Sequence, residues 1–357
     1  MAQEVWTQNE LTLKERTYGV KSRLRRFRRE YSAGKPLRRW FPRSFFTDPL
    51  ALVDICSPWE VAWVTRYMAT EFTGSGAVVE LGPFLGDITV GILKGLRQNS
   101  TVHSATIDSY DLFIFEDIQD RTAELPLSGR FHNGDSFLPL YTSRLGQDRG
   151  LVTAHQGDVS DEAWPTSRPI EFLFNDVAKT WDIWNHLKAT FYRSLQVGGT
   201  VVEQDWAHAC TPWLHLWHHR YREYFQAGDQ VPHSGSVPFR LVTPLPQSAF
   251  EPDHFSDYSE DQVSDAFDWA AALVDSVRQR NVRGAYVHLY TLHGDLDRAT
   301  RLCIEELVGV PFDNELVQVA LPELAIRLND RSLRAAQAAE SAATEGTGSE
   351  GRSNKLP

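Results

Sequence analysis

The segment Ala77-Val-Val-Glu-Leu-Gly-Pro-Phe-Leu-Gly-Asp-Ile-Thr-Val-Gly-Ile-Leu93 constrains the fold of this chain more than any other. A β-branched run ends in Glu80-Leu-Gly82, a glycine-containing turn follows, and an amphipathic stretch begins at Asp87. Strand, turn and helix in that order form the opening unit of an open α/β sheet, whose ligand sits beyond the carboxyl end of the strand. A dinucleotide site needs Gly-x-Gly-x-x-Gly, so that backbone amides can close on a pyrophosphate at the helix start. Here Phe84 and Asp87 hold the second and third glycine positions. A ring and a carboxylate at those places argue against NAD, FAD or a nucleoside triphosphate.

Further strands are expected near Val102–Tyr110, Leu151–Gln156, Ile170–Asp176 and Thr200–Asp205, with Ser236–Val242 as one arm of a terminal hairpin. Ser57-Pro58-Trp59-Glu60 has the cap, the first-turn proline and the acid of a helix start, and that helix should run to about Phe72. A further helix should follow Asp176 and run to about Leu195, and Gly198-Gly199 should turn the chain into the fifth strand. This alternation predicts an α/β fold: a Rossmann-like, seven-stranded, mostly parallel sheet with helices on both faces, plus a helical C-terminal addition. The expected organisation is a basic N-terminal arm at 1–55, a core at 56–247, a helical subdomain at 248–330 and a disordered tail at 331–357.

Charge and cysteine usage narrow the partners. The formal charge of -11 disfavours nucleic acid as a partner of the whole chain. Between Lys14 and Arg43, however, lie twelve Lys or Arg against two acids, with Phe27, Tyr31, Trp40 and Phe41 interleaved. Such an arm suits docking on the acidic remainder of the chain or on a homodimer mate better than free disorder. Cys56, Cys210 and Cys303 form neither a disulfide framework nor a zinc spacing. With no apolar run near the ~20 residues of a membrane span, and no secretory signal pattern, a cytoplasmic location is expected.

Glu80, Gly82 and Gly86 form the pattern E-x-G-x-x-x-G, which resembles motif I of the class I S-adenosylmethionine-dependent methyltransferases. The resemblance implies S-adenosylmethionine as cofactor, in a turn formed by Glu80, Gly82, Phe84 and Gly86. It implies an acid after the second strand for the ribose hydroxyls, for which Asp108 and Asp111 both qualify. It also implies a contact to the adenine amino group after the third strand, where Asp158 stands, and it brings Asp176 to the cofactor's edge.

Asp176-Val-Ala-Lys179 is similar to the D-x-x-K element of the catechol and caffeoyl-coenzyme A type O-methyltransferases. That likeness implies Mg²⁺ on Asp176 and Asp205, with Lys179 as the base whose pKa the cation lowers. The Asn expected after Asp205 is Trp206 here. Without a cation, Asp205 or His208 could take the proton directly. His215 and His219 lie one helical turn apart, as zinc ligands can, but lack the Glu of H-E-x-x-H. Their segment reads better as an aromatic helix over the acceptor pocket, walled by Trp206 or Trp213, or packed on the sheet edge. Macrocin-type sugar methyltransferases share the broad pattern, so the expected reaction is methyl transfer to a hydroxyl of a small, sugar-containing or polyhydroxylated acceptor. The rival expectation is a non-catalytic module with a degenerate cofactor site.

Overall fold

The computed structural model describes residues 57–102, 105–116 and 131–307, all within one compact unit. The basic arm at 1–55, residues 308–330 and the tail at 331–357 lie outside the described residues. Helix α1 (Pro58–Thr70) starts where the sequence indicates. The Ser57 side chain accepts from the Glu60 amide, and the Glu60 carboxylate accepts from the Ser57 amide at 2.7 Å. That reciprocal cap satisfies two amides that an isolated helix start would leave open.

Strand β1 (Ala77–Leu81) is followed by α2 (Asp87–Gln98), which packs closely along α1. A side chain at Gly95 would run into the Thr65 carbonyl and Met68, so only glycine allows the two backbones to approach. The chain continues through β2 (Ile107–Asp111), α3 (Leu138–Arg144), β3 (Val152–Gln156), β4 (Ile170–Asn175), α4 (Trp181–Thr190) and β5 (Leu195–Glu203). It then forms α5 (Pro212–Arg220), β6 (Phe225–Ala227) and β7 (Val237–Leu241), and ends in α6 (Glu260–Ala272), α7 (Gln279–Leu292) and α8 (Leu296–Leu307).

The seven strands are ordered β3-β2-β1-β4-β5-β7-β6. All neighbouring pairs are parallel except those of β7, which runs antiparallel to both β5 and β6. This is the predicted Rossmann-like sheet, and the chain reverses direction across it between β1 and β4. Such a reversal opens a crevice at the carboxyl ends of the strands.

Two strands differ most from the sequence reading. Strand β2 starts at Ile107 rather than Val102, and β5 starts at Leu195 and ends at Glu203. Gly198-Gly199 is therefore no turn before β5. It is an irregularity inside it, where the register on β4 slips and a Cβ at Gly199 would lie 3.0 Å from the carbonyls of Ile170 and Glu171. The consequence is functional, because Gln204 and Asp205 stand just past the strand end.

Strand alternation gives the sheet two cores. Phe172 meets Tyr67 of α1, ring centroids 5.1 Å apart. Leu173, its neighbour, joins Trp184, Trp217, Phe267, Tyr286 and Leu302 in one buried cluster, so α6, α7 and α8 close over the same core as α4 and α5. No helix among the described residues is long and apolar enough to cross a membrane.

Candidate active site

The turn after β1 is pinned to β2. The Gly82 amide donates to the Tyr110 carbonyl at 2.9 Å, and the amides of Phe84 (3.0 Å) and Phe113 (2.8 Å) donate to the two carboxylate oxygens of Asp111. Burial raises the Asp111 pKa, against those two donors. Asp108 is differently placed. It lies inside β2, buried, with His155 Nε2 at 3.0 Å and Arg168 at 2.7 Å. Of the two candidates, Asp111 is the one at the carboxyl edge. Asp158 is exposed beyond β3, where it accepts from the Ser160 amide at 2.9 Å and caps a short turn.

Glu80 is fully buried under the turn. Its Oε2 accepts from Thr89 (2.6 Å) and Ser109 (2.9 Å), while Oε1 has no partner. Burial pushes its pKa up to about 7, and the two hydroxyls offset this only in part. The glycines of the turn serve packing. Gly82 (φ +81°) leaves room for Val177 and the Asp176 carbonyl, which a Cβ would approach to 3.0 and 3.1 Å. Gly86 (φ +89°) lies under Tyr141, whose ring a Cβ would meet at 2.9 Å. Tyr141 is fully buried and escaped sequence reasoning, since nothing in its polar surroundings marks it.

The residues fit a nucleoside without phosphates. Asp87 opens α2 where an anion would sit, and its carboxylate is paired with Arg144 at 2.5 Å. A second anion there would meet that carboxylate directly.

Across the switch point lies a charged centre. Lys179 Nζ contacts Asp176 Oδ1 at 2.7 Å and also reaches Asp205 Oδ2. The Gln204 oxygen would face only acceptors, so its amide nitrogen turns inward and donates to Oδ1 of both Asp176 and Asp205, 2.9 Å each. Burial raises the Asp176 pKa above the ordinary aspartate value, opposed by Lys179 and reinforced by the like charge of Asp205. Burial works against the Lys179 ammonium, but the two carboxylates outweigh it and hold its pKa above the ordinary lysine value. In this arrangement the two carboxylates favour Lys179 as an ammonium, the form that cannot act as a base. Glu60 adds to the acidity of this edge. It is buried, accepts from the Ser236 hydroxyl at 2.5 Å, and burial, with Asp205 nearby, raises its pKa.

The backbone around this centre is fixed from α5. The Thr211 hydroxyl donates to the Asp205 carbonyl at 2.9 Å, and Trp213 Nε1 to the Ala178 carbonyl at 2.8 Å. Trp206 forms no pocket wall, because it is fully buried and donates to the Ala270 carbonyl. His215 is buried too, bonded to the Trp206 carbonyl at 2.7 Å, and burial lowers its pKa to about 4. His219 pairs with Arg222 instead. His208 is half-buried, with Nδ1 accepting from the Cys210 amide at 3.3 Å. The histidine-rich helix is therefore packing, with no zinc pair.

The pattern implying Mg²⁺ does not fit these residues. Asp176 and Asp205 are bridged by an ammonium, the expected amide ligand is a buried indole, and among the described residues no three His, Cys, Asp or Glu side chains converge as metal ligands do.

No family model matches the chain, and no curated protein matches it. Among solved structures it is similar to the O-methyltransferase NovP, at 15% identity over 52% of this chain and 78% of that one, TM-score 0.36. It is also similar to the calicheamicin methyltransferase CalS11, at 14% identity over 62% and 91%, TM-score 0.39. A third is the glycopeptide N-methyltransferase MtfA complexed with S-adenosylmethionine, at 14% identity over 52% and 94%, TM-score 0.32. These are likenesses of chain path at low identity.

Proposed function

We propose that this protein is an S-adenosylmethionine-dependent methyltransferase acting on a hydroxyl of a small, polyhydroxylated or sugar-containing acceptor. The observation that carries this reading is the convergence at one sheet edge. The Gly82–Gly86 turn, with Asp111 locked against it, borders the Asp176–Lys179–Asp205 centre across the switch point. Asp111, the turn and Asp158 would hold the nucleoside, and the carboxyl groups of Asp111, Asp176 and Asp205 along this edge suit a cationic ligand. When bound, S-adenosylmethionine supplies an electrophilic methyl group on a sulfonium.

An alcohol oxygen is a weak nucleophile until its proton leaves. Among the described residues, Lys179 and Gln204 both contact Asp176 at Oδ1, so Oδ2 is the oxygen offered to an acceptor hydroxyl. Asp205 is engaged at both oxygens and serves to hold Lys179 and Gln204. Asp176 is thus the proton acceptor in this reading, and Lys179, whose side chain as a whole is half-exposed, orients the acceptor.

Calorimetric titration with S-adenosylmethionine and S-adenosylhomocysteine tests the reading. Asp111→Ala should weaken binding by at least about tenfold, the scale of one lost hydrogen bond to a charged group. Asp108→Asn should leave binding within about twofold. Absence of binding in the wild type rejects the assignment and leaves the non-catalytic module.

A further inference from the structure

Resting on the reading of the β4 and β5 ends as the reacting centre, we infer that Lys179 is a tethered cation standing in the place of a divalent metal. The chain bridges its own carboxylate pair with an ammonium, so the centre works without Mg²⁺. A divalent ion joining Asp176 to Asp205 would need the space between their oxygens and further oxygen ligands around it. Here Lys179 Nζ touches both carboxylates, at 2.7 Å on Asp176. The Gln204 amide nitrogen fills the next position with a donor, 2.9 Å from each carboxylate, where a metal would need an acceptor. Trp206 has turned away into the core and donates to Ala270.

The arrangement is held from outside. The Asp205 carbonyl is fixed by Thr211, and the Ala178 carbonyl, next to Lys179, by Trp213. Lys179 therefore bridges two anchored positions. An ammonium also differs chemically from a metal ion. It donates hydrogen bonds and carries one charge against two carboxylates, so the centre stays net negative towards a cationic ligand.

Deleting the ammonium should convert the centre into a metal site. Two carboxylates would face each other across a gap, and Gln204 could rotate its oxygen inward. The test is titration of the full-length protein with MnCl₂, followed by electron paramagnetic resonance of the free ion and by calorimetry. Wild type should bind no stoichiometric Mn²⁺. Lys179→Ala, and Lys179→Met as a variant that keeps the bulk, should each bind one ion at least about 100-fold more tightly. The double variant Lys179→Ala/Asp205→Asn should lose that gain. Circular dichroism and thermal unfolding identify the variants that are folded. One Mn²⁺ per wild-type chain overturns the inference, as does a folded Lys179 variant with no gained affinity. S-adenosylhomocysteine binding, measured on the same samples, reports on the methyltransferase reading, so the two can fail separately.

Discussion

Asn175 donates from Nδ2 to Oε2 of Glu203 at 2.8 Å, joining the last residue of β4 to the last residue of β5 directly behind the charged centre. The Tyr192 hydroxyl (2.5 Å) and His218 Nε2 (2.7 Å) converge on the other oxygen of Glu203, and all four side chains are buried. The Asn175 carbonyl oxygen in turn accepts from the Val177 amide at 3.3 Å. The loop carrying Asp176 and Lys179 is thereby tied to a polar network inside the core. Such a network rigidifies when every member is satisfied and is costly when one is lost.

Replacing Asn175 with Leu therefore exposes the cost of an unsatisfied buried acceptor. Glu203 would lose a donor in a site closed to water, which costs on the order of 1–3 kcal/mol. Urea unfolding should place Asn175→Leu in that range below wild type, with the m-value unchanged. A difference under about 0.5 kcal/mol, the scale of an ordinary surface substitution, would show that the network bears no strain from the loss.

Glu80 predicts a pH dependence of stability with a definite sign. Its folded pKa of about 7 lies above the ordinary 4.5, because burial disfavours the charged carboxylate. The folded protein thus holds a proton that the unfolded chain has released. Its contribution is complete below about pH 4.5 and is lost as pH rises through about 7. Glu80→Gln keeps an oxygen for Thr89 and Ser109 but cannot titrate. The stability of wild type relative to Glu80→Gln should therefore fall by about 3 kcal/mol between those limits, at ~1.4 kcal/mol per pKa unit. Denaturant midpoints for both proteins at pH 4.5, 6 and 8 measure it, and a constant difference across that range contradicts the assignment.

The frame of the molecule was legible in the sequence because it follows from local rules. The β-branched run of β1 and the reciprocal Ser57–Glu60 cap are each written in a few adjacent residues. Asp111, Asp176, Lys179 and Asp205 were identifiable through motif spacing, since strand ends deliver whatever follows them to one edge. What those residues do there was not legible. Lys179 is an ammonium because Asp205, 26 positions away, closes on it. Trp206 leaves the site because Ala270 accepts its indole proton. Tyr141 lies over Gly86 through a helix that no motif announces. Each is a long-range packing outcome, and spacing along the chain carries no record of it.

The two uses of glycine separate in a pair of substitutions. Gly86 (φ +89°) and Gly134 (φ +92°) both have left-handed backbones, but only Gly86 has a neighbour, the Tyr141 ring, in the path of a Cβ, whereas nothing lies within 4 Å at Gly134. Alanine at Gly134 should cost about 1–2 kcal/mol of backbone strain alone. Alanine at Gly86 should cost at least about 1 kcal/mol more, because the buried ring must move in a packed core. Thermal unfolding of both variants decides the matter, and equal losses would mean that Tyr141 yields freely.

The proton acceptor sets the last prediction. If Asp176 Oδ2 takes the hydroxyl proton, transfer must be slow while that carboxyl is protonated and rise as it ionises, at a pH that burial has moved above the ordinary aspartate range. Asp176→Asn keeps the size and an oxygen but cannot accept a proton. Its kcat should fall by about 10²–10⁴, the usual worth of a positioned base, with S-adenosylhomocysteine affinity within a few-fold of wild type. His208→Ala should leave both the rate and its pH profile nearly unchanged, since the imidazole Nδ1 accepts a backbone amide and His208 meets Asp205 through its own backbone amide, which the substitution keeps. The measurement is turnover against pH for wild type and the two variants, once an acceptor has been found by screening with radiolabelled methyl donor. An acid limb that survives in Asp176→Asn and vanishes in His208→Ala would reassign the base to His208. The opposite pattern follows from one carboxylate oxygen left facing the acceptor while Lys179 and Gln204 hold its twin.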